Sequence, residues 1–150
     1  MNKQLNYMIK KLILFSVGFF CYSLIEVLFR GYTYFTMGLL GGLLLLLVDS
    51  INNYISWNID LLWQGCIGSF MVTTTELIVG ELTKYFMQEP MWDYSSLPFN
   101  FDGVICPQFS IAWIFVSILG IIVADIINYY IFHEEPKPYY HVAGRFYFTL

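Results

Sequence analysis

The chain has 150 residues, of which 58% are hydrophobic, 20% aromatic and only 12% charged. A soluble domain carries about 25% charged residues to keep its surface hydrated, so lipid must supply part of this chain's solvent. The net charge of −4, with no cluster of Lys and Arg, excludes nucleic acid as the expected partner.

Cys21, Cys66 and Cys106 are odd in number and lack CxxC spacing, so neither a disulfide framework nor a zinc site is expected. No cofactor is expected either. A helix crosses the hydrocarbon core with about 20 mostly apolar residues, in a range of about 17–25. Four such segments are predicted, at about 12–29, 32–48, 61–83 and 109–132. Uninterrupted apolar runs such as 39–48 lack the alternation of a barrel strand. The expected fold class is therefore all-α: a bundle of four transmembrane helices forming one integral membrane domain, 1–150.

In chain order, Lys3, Lys10 and Lys11 precede the first segment, as they would in a signal peptide. A signal peptide's apolar core is about 7–15 residues; this run is longer, contains Glu26 and has no cleavage site, so it reads as a retained helix. The second segment lies between Arg30 and Asp49 and carries Gly38, Gly41 and Gly42, small residues that let helices approach closely in lipid. The third starts after Asp60 and runs through Glu76. The stretch at about 84–108 is too long for a plain hairpin turn. It holds Pro90, Pro98 and Pro107, the turn pair Asp102-Gly103, and apolar residues including Met91, Trp92, Phe99 and Phe101. A folded cap is predicted here, or a segment dipping into the outer leaflet. The fourth segment has a second small-residue stripe, Ser117, Gly120, Ala124 and Asn128, with Asp125 beside it. A weak echo at an offset of fifty residues (Gly18/Gly68, Phe20/Phe70, Glu26/Glu76) fits two tandem helical hairpins, and equally an apolar composition of low complexity.

Four spans put both termini on one side. Lys3, Lys10, Lys11, Lys137 and Arg145 fall there, against Arg30 and Lys84 opposite, so both termini are expected in the cytoplasm. Aromatic residues gather near the predicted helix ends, as interface belts require.

Glu26 and Arg30 are four apart and share a helix face. With Glu76, Glu81, Asp93 and Asn100 they would meet at the outer membrane face. Ionisable groups within spans are costly and often functional, so the cluster reads either as a substrate or ion site or as a buried structural ion pair. Asp93 is better explained by an Asx-turn to Ser95 or Ser96. Asp49 and Asp125 form a second candidate pair near the cytoplasmic ends. They mark the far end of a proton or cation path or, more simply, are helix-end carboxylates near water. Carboxylates without His or Cys suit hard cations or protons better than zinc. No enzyme is expected. Ser95 and Ser96 lack a histidine on their face, since His133 and His141 fall at the other, and no phosphate-binding loop occurs.

The run Glu76 to Glu81, then Trp92, Asp93, Tyr94 and Ser95, then Pro98, Phe99 and Asn100, then Gly103 to Cys106, resembles the putative ABC-transporter type IV family. These small bacterial membrane proteins are also described as CmpB-like permeases. Glu26 followed by Arg30 and Gly31 is similar to the family's first-helix glutamate and arginine-glycine pair. The stretch 32–42 and the ending 134–140 resemble the short variant of Firmicutes and mobile elements. Pro107 departs from the family pattern, where an apolar residue is expected. The resemblance covers nearly the whole chain. It implies a transport component of the bacterial plasma membrane, permease-like or ion-coupled, with any ATPase on a separate chain. Four short helices enclose little space, so a homo-oligomer is expected. The alternative is a non-transporting scaffold or interaction protein of a mobile element.

Overall fold

A computed structural model describes residues 3–87 and 90–150. Gln88 and Glu89, which the sequence puts in the cap, lie outside the described residues. Helix α1 is Lys3–Arg30, roughly 42 Å long at 1.5 Å per residue. It starts well before residue 12 because Lys10 and Lys11 are not a solvated tail: they pair with Glu134 and Asp49 at 2.8 and 2.7 Å. It ends at Gly31, whose φ of 83° and 2.8 Å amide bond to the Val27 carbonyl form a left-handed stop.

A short turn leads to α2, Phe35–Asp49, which packs along α1. A Cβ on Gly41 would lie 2.2 Å from the Tyr22 Cβ, and one on Gly18 2.5 Å from the Gly41 carbonyl oxygen. Carbon atoms pack at about 3.5–4.0 Å, so only glycine permits this approach. After Ser50, the single turn α3, Ile51–Tyr54, extends α2. Helix α4, Leu61–Met87, starts at Asp60, whose Oδ1 accepts the Leu62 amide at 2.9 Å as an N-cap.

Helix α5, Pro107–Ile126, has its proline in the first turn. The missing N–H costs nothing there, which accounts for Pro107 where the family pattern led us to expect an apolar residue. A π-helical turn, Ile127–Ile131, extends α5. Helices α4 and α5 run antiparallel, with Gly65 against Ile118 and Gly68 against Ser117. The bundle is thus two helical hairpins, α1–α2 and α4–α5, joined through α2. Gly18 and Gly68, fifty apart, each sit where their helix meets its hairpin partner.

The all-α expectation needs one correction. Beyond Pro136 and Pro138 the chain forms an antiparallel hairpin, β1 Tyr139–Val142 with β2 Phe146–Thr149. Its turn has positive φ at Ala143 and Gly144, and its aromatic residues, Tyr139, Tyr140, Phe146, Tyr147 and Phe148, favour strands. Tyr140 anchors it and is fully buried, against Trp57 and Phe148.

Three helical segments are long and apolar enough to cross a membrane: Lys3–Arg30, Phe35–Tyr54 and Pro107–Ile131. Helix α4 is more polar, carrying Gln64, Ser69, Thr73, Glu76, Glu81 and Lys84, but Gln64, Ser69 and Glu76 point into the bundle and are buried. Large apolar side chains such as Phe20, Leu28, Phe70 and Phe115 are exposed around the outside. An apolar girdle on this scale fits a lipid solvent better than water.

Candidate functional site

The polar residues of the bundle form two groups, one at the cap end and one at the tail end. At the cap end Glu26 and Arg30 make an i,i+4 ion pair on the last turn of α1. Arg30 also donates from Nη1 to the Met91 carbonyl at 3.2 Å and lies over the rings of Tyr32 and Tyr34. Both members of the pair are about one-fifth exposed, at 20% and 18%.

Glu76 differs. It is 2% exposed, and among the described residues its one hydrogen-bond partner is neutral: the Trp113 indole N–H donates to Oε2 at 2.8 Å. Tyr22 stacks on Trp113, with ring centroids 5.9 Å apart, and lies within electrostatic reach of both Glu76 and Glu26. Glu26, Arg30 and Glu76 therefore gather around Tyr22 and Trp113. A buried carboxyl without a cationic partner gains from an incoming cation or proton.

The other cap-end candidates do not join them. Glu81 is half-exposed, beside Lys84 at 3.8 Å. Asp93 makes the Asx-turn: its Oδ1 accepts the Ser95 amide at 2.8 Å and the Ser95 hydroxyl. These bonds, the hydroxyl's first, hold its carboxyl below the usual range. Asn100 is a loop clamp. Its Nδ2 donates to the Leu97 carbonyl at 2.8 Å, and its Oδ1 accepts the Gly103 amide at 2.9 Å.

Trp92, Tyr94, Pro98 and Gly103 complete a self-supporting cap. The Trp92 indole donates to the Val104 carbonyl, the Tyr94 amide to the Gly103 carbonyl, and Gln108 to the Pro98 carbonyl. A Cβ on Gly103, at φ 68°, would lie 2.6 Å from the Ser95 hydroxyl, so the glycine lets the cap close. Tyr94 stacks on Phe109 at 4.4 Å, and burial raises its phenol pKa above the usual value. Phe99 is exposed. Lys84 binds Asp102 through carboxylate and carbonyl, and its ammonium keeps the Asp102 carboxyl below the usual range.

At the tail end, Asp49 is the last residue of α2 and Asp125 the last but one of α5, and both carboxylates are turned into the bundle. They are 4% and 3% exposed. Asp49 accepts from Lys11 and from Asn128 Nδ2, each at 2.7 Å. Asp125 accepts from Asn52 Nδ2 at 2.9 Å and from the Tyr140 hydroxyl at 2.8 Å. Burial pushes the Tyr140 phenol pKa up. Asp49, Asn52, Asp125 and Asn128 border a polar cavity of about 100 Å³, reached also by Asn53, Trp57 and Glu134. The carbonyl oxygens of Asn52 and Asn128 are buried there without a partner among the described residues. At about 30 Å³ per molecule the space suits a few waters. Among the described residues no three His, Cys, Asp or Glu side chains converge to hold a metal ion.

Sequence reasoning missed Trp113 as a Glu76 donor, and Lys10, Lys11, Asn52 and Tyr140 as members of the tail-end group. Asn52 alone carried a signal, as an amide next to an apolar helix. Ser95 and Ser96 lie in the cap while His141 lies in the hairpin, at opposite ends of the bundle.

Comparison of the chain with curated proteins and with solved structures finds no match in either. The sequence profile of the family described as putative ABC-transporter type IV matches residues 19–150, which leaves out only residues 1–18, and the chain belongs to that family.

Proposed function

We propose that this chain is the membrane-embedded, permease-type component of a transport system, with the buried Glu76 carboxyl as its ion-handling group. The observation that carries the reading is Glu76 itself: a carboxyl 2% exposed, deep in an apolar bundle, held by an indole and not by a cation. Maintaining such a group is costly, and membrane proteins retain it where an ion or proton passes. The Glu26–Arg30 pair beside it supplies a local field and an entry from the cap side. The tail-end carboxylates Asp49 and Asp125 mark the other end of the path.

On this reading α4 is a fourth span whose polar residues face inward, and residues 1–150 form a single domain. Five basic residues on the side of the termini, against two on the cap side, favour cytoplasmic termini. The ATPase of an ABC-type system would be a separate chain, and copies of this chain would associate to enclose a pathway. No enzymatic step is assigned.

The test is reconstitution into liposomes, alone and with co-purified partners, with proton and cation flux followed by ion-sensitive dyes. Wild type and Glu81→Gln should conduct, because Glu81 is half-exposed and outside the group. Glu76→Gln should not. Equal flux in all three would end the proposal.

A further inference from the structure

The polar cavity at the tail end is walled by Asp49, Asn52, Asp125 and Asn128, with the exposed Glu134 and Glu135 at its rim. No basic side chain of the described residues lines it. Its charges do not balance. Lys11 pairs with Asp49 and Lys10 with Glu134, but Asp125 makes no ion pair among the described residues. Its partners there are neutral donors, the Asn52 amide and the Tyr140 hydroxyl. A carboxylate 3% exposed thus carries an uncompensated charge beside an open polar space, a costly arrangement until a positive charge arrives.

The second observation is independent of charge. Asn52 and Asn128 donate their amide N–H groups to Asp125 and Asp49. A carboxylate only accepts, so each amide has one orientation, nitrogen toward the carboxylate and carbonyl oxygen away from it. Both oxygens are buried, and neither has a hydrogen-bond partner among the described residues. Leaving a buried acceptor bare is costly, and nearly all such atoms in folded proteins have a partner.

Water would satisfy the two amides and leave the Asp125 charge as it is. A proton would neutralise Asp125 and leave the amides bare. One hard cation answers both needs, because carboxylate and carbonyl oxygens are its ligands. Its charge follows from the pairing: one carboxylate is left over, so one positive charge balances it, and a divalent ion would bury an excess. Among the described residues no three His, Cys, Asp or Glu side chains converge as ligands, which also disfavours a divalent metal.

We propose that the tail-end cavity binds one monovalent alkali-metal cation, held by Asp125 and by the carbonyl oxygens of Asn52 and Asn128. The ion ties the turn after α2 to the end of α5. This goes beyond the transport reading and does not rest on it: the ion sits there whether or not anything crosses at Glu76.

The test is equilibrium binding of radioactive sodium, and of rubidium as the larger alkali ion, to purified full-length protein in detergent. N-methyl-D-glucamine is the inert replacement salt. Glu76→Gln excludes an ion held at the cap end, and it should still bind one or other alkali ion saturably, one per chain. Asp125→Asn removes the charge, and Asn52→Lys puts a tethered ammonium beside Asp125 in the ion's place. Each should weaken binding roughly tenfold or more. Hydrogen exchange of wild type needs no variant. At equal ionic strength the alkali ion should slow exchange at residues 50–54 and 125–131 and leave the cap, 92–104, unchanged. Absence of binding would overturn the proposal and make the cavity a water site only. Binding lost in Glu76→Gln, binding unchanged in either folded tail-end variant, or protection confined to the cap would overturn it as well. Retained binding without flux would end the transport reading alone.

Discussion

Replacing Tyr140 with Phe removes one hydroxyl from the hairpin and leaves its packing intact. That hydroxyl donates to Asp125 Oδ2 at 2.8 Å, and Tyr140 and Asp125 are 0% and 3% exposed. A hydrogen bond to a charged group contributes about 1.5–3 kcal/mol. With a factor of ten for about every 1.4 kcal/mol, the opening equilibrium of the hairpin should rise roughly 10- to 150-fold. Hydrogen exchange of residues 139–149, read by mass spectrometry on protein in nanodiscs, measures this as lost protection. In an Asp125→Ala background the same substitution should add little, because the partner is already gone. Unchanged protection in the single variant, or an equal loss in both backgrounds, would refute the idea that this bond latches the hairpin to α5.

Gly41→Ala should lower bundle stability by about 1–3 kcal/mol, the usual cost of overpacking, because the new methyl meets Tyr22 at 2.2 Å. Thermal unfolding in detergent checks this, with Gly120→Ala as the near-neutral comparison. The cap should loosen in acid. The carboxyls of Asp93 and Asp102 are depressed in the folded state by Ser95 and Lys84. Their contribution is therefore complete above the unfolded value of about pH 3.9 and is lost as pH falls through the lower folded values. Exchange at Tyr94 and Gly103 should accelerate in that window, and by less in Asp102→Asn, where only the Asp93 carboxyl still titrates. Asn100→Ala removes both a donor to Leu97 and the acceptor for the Gly103 amide. It should disorder the 95–103 loop while leaving α4 and α5 protected.

The four helices were legible because length and apolarity report directly on a lipid solvent. The glycine contacts between α1 and α2 and the Asx-turn at Asp93 were legible because they rest on spacing or on adjacent residues. What could not be read depends on distant partners. The early start of α1 rests on Glu134 and Asp49 reaching back to Lys10 and Lys11. The burial of Asp49 and Asp125 depends on Asn128, Asn52 and Tyr140, the last of which comes from the C-terminal hairpin. Trp113 looked like an interface-belt residue, since an indole at the headgroups and an indole donating to a buried carboxyl are alike in sequence. The hairpin lies beyond Pro136 and Pro138, in a stretch too short and too aromatic to register as a membrane span. Asp93, Glu81 and Asn100 were grouped with Glu26 and Glu76 because topology put them at one membrane face. A shared face does not bring side chains together, and the cap uses these groups for itself.

The most direct measurement is proton and cation flux through liposomes bearing wild type, Glu76→Gln or Glu81→Gln, each shown to be folded and equally incorporated. Flux in wild type and Glu81→Gln that disappears in Glu76→Gln is the result the account predicts. Flux that survives in Glu76→Gln at the wild-type rate would contradict it and leave the buried carboxyl a packing element tied to Trp113.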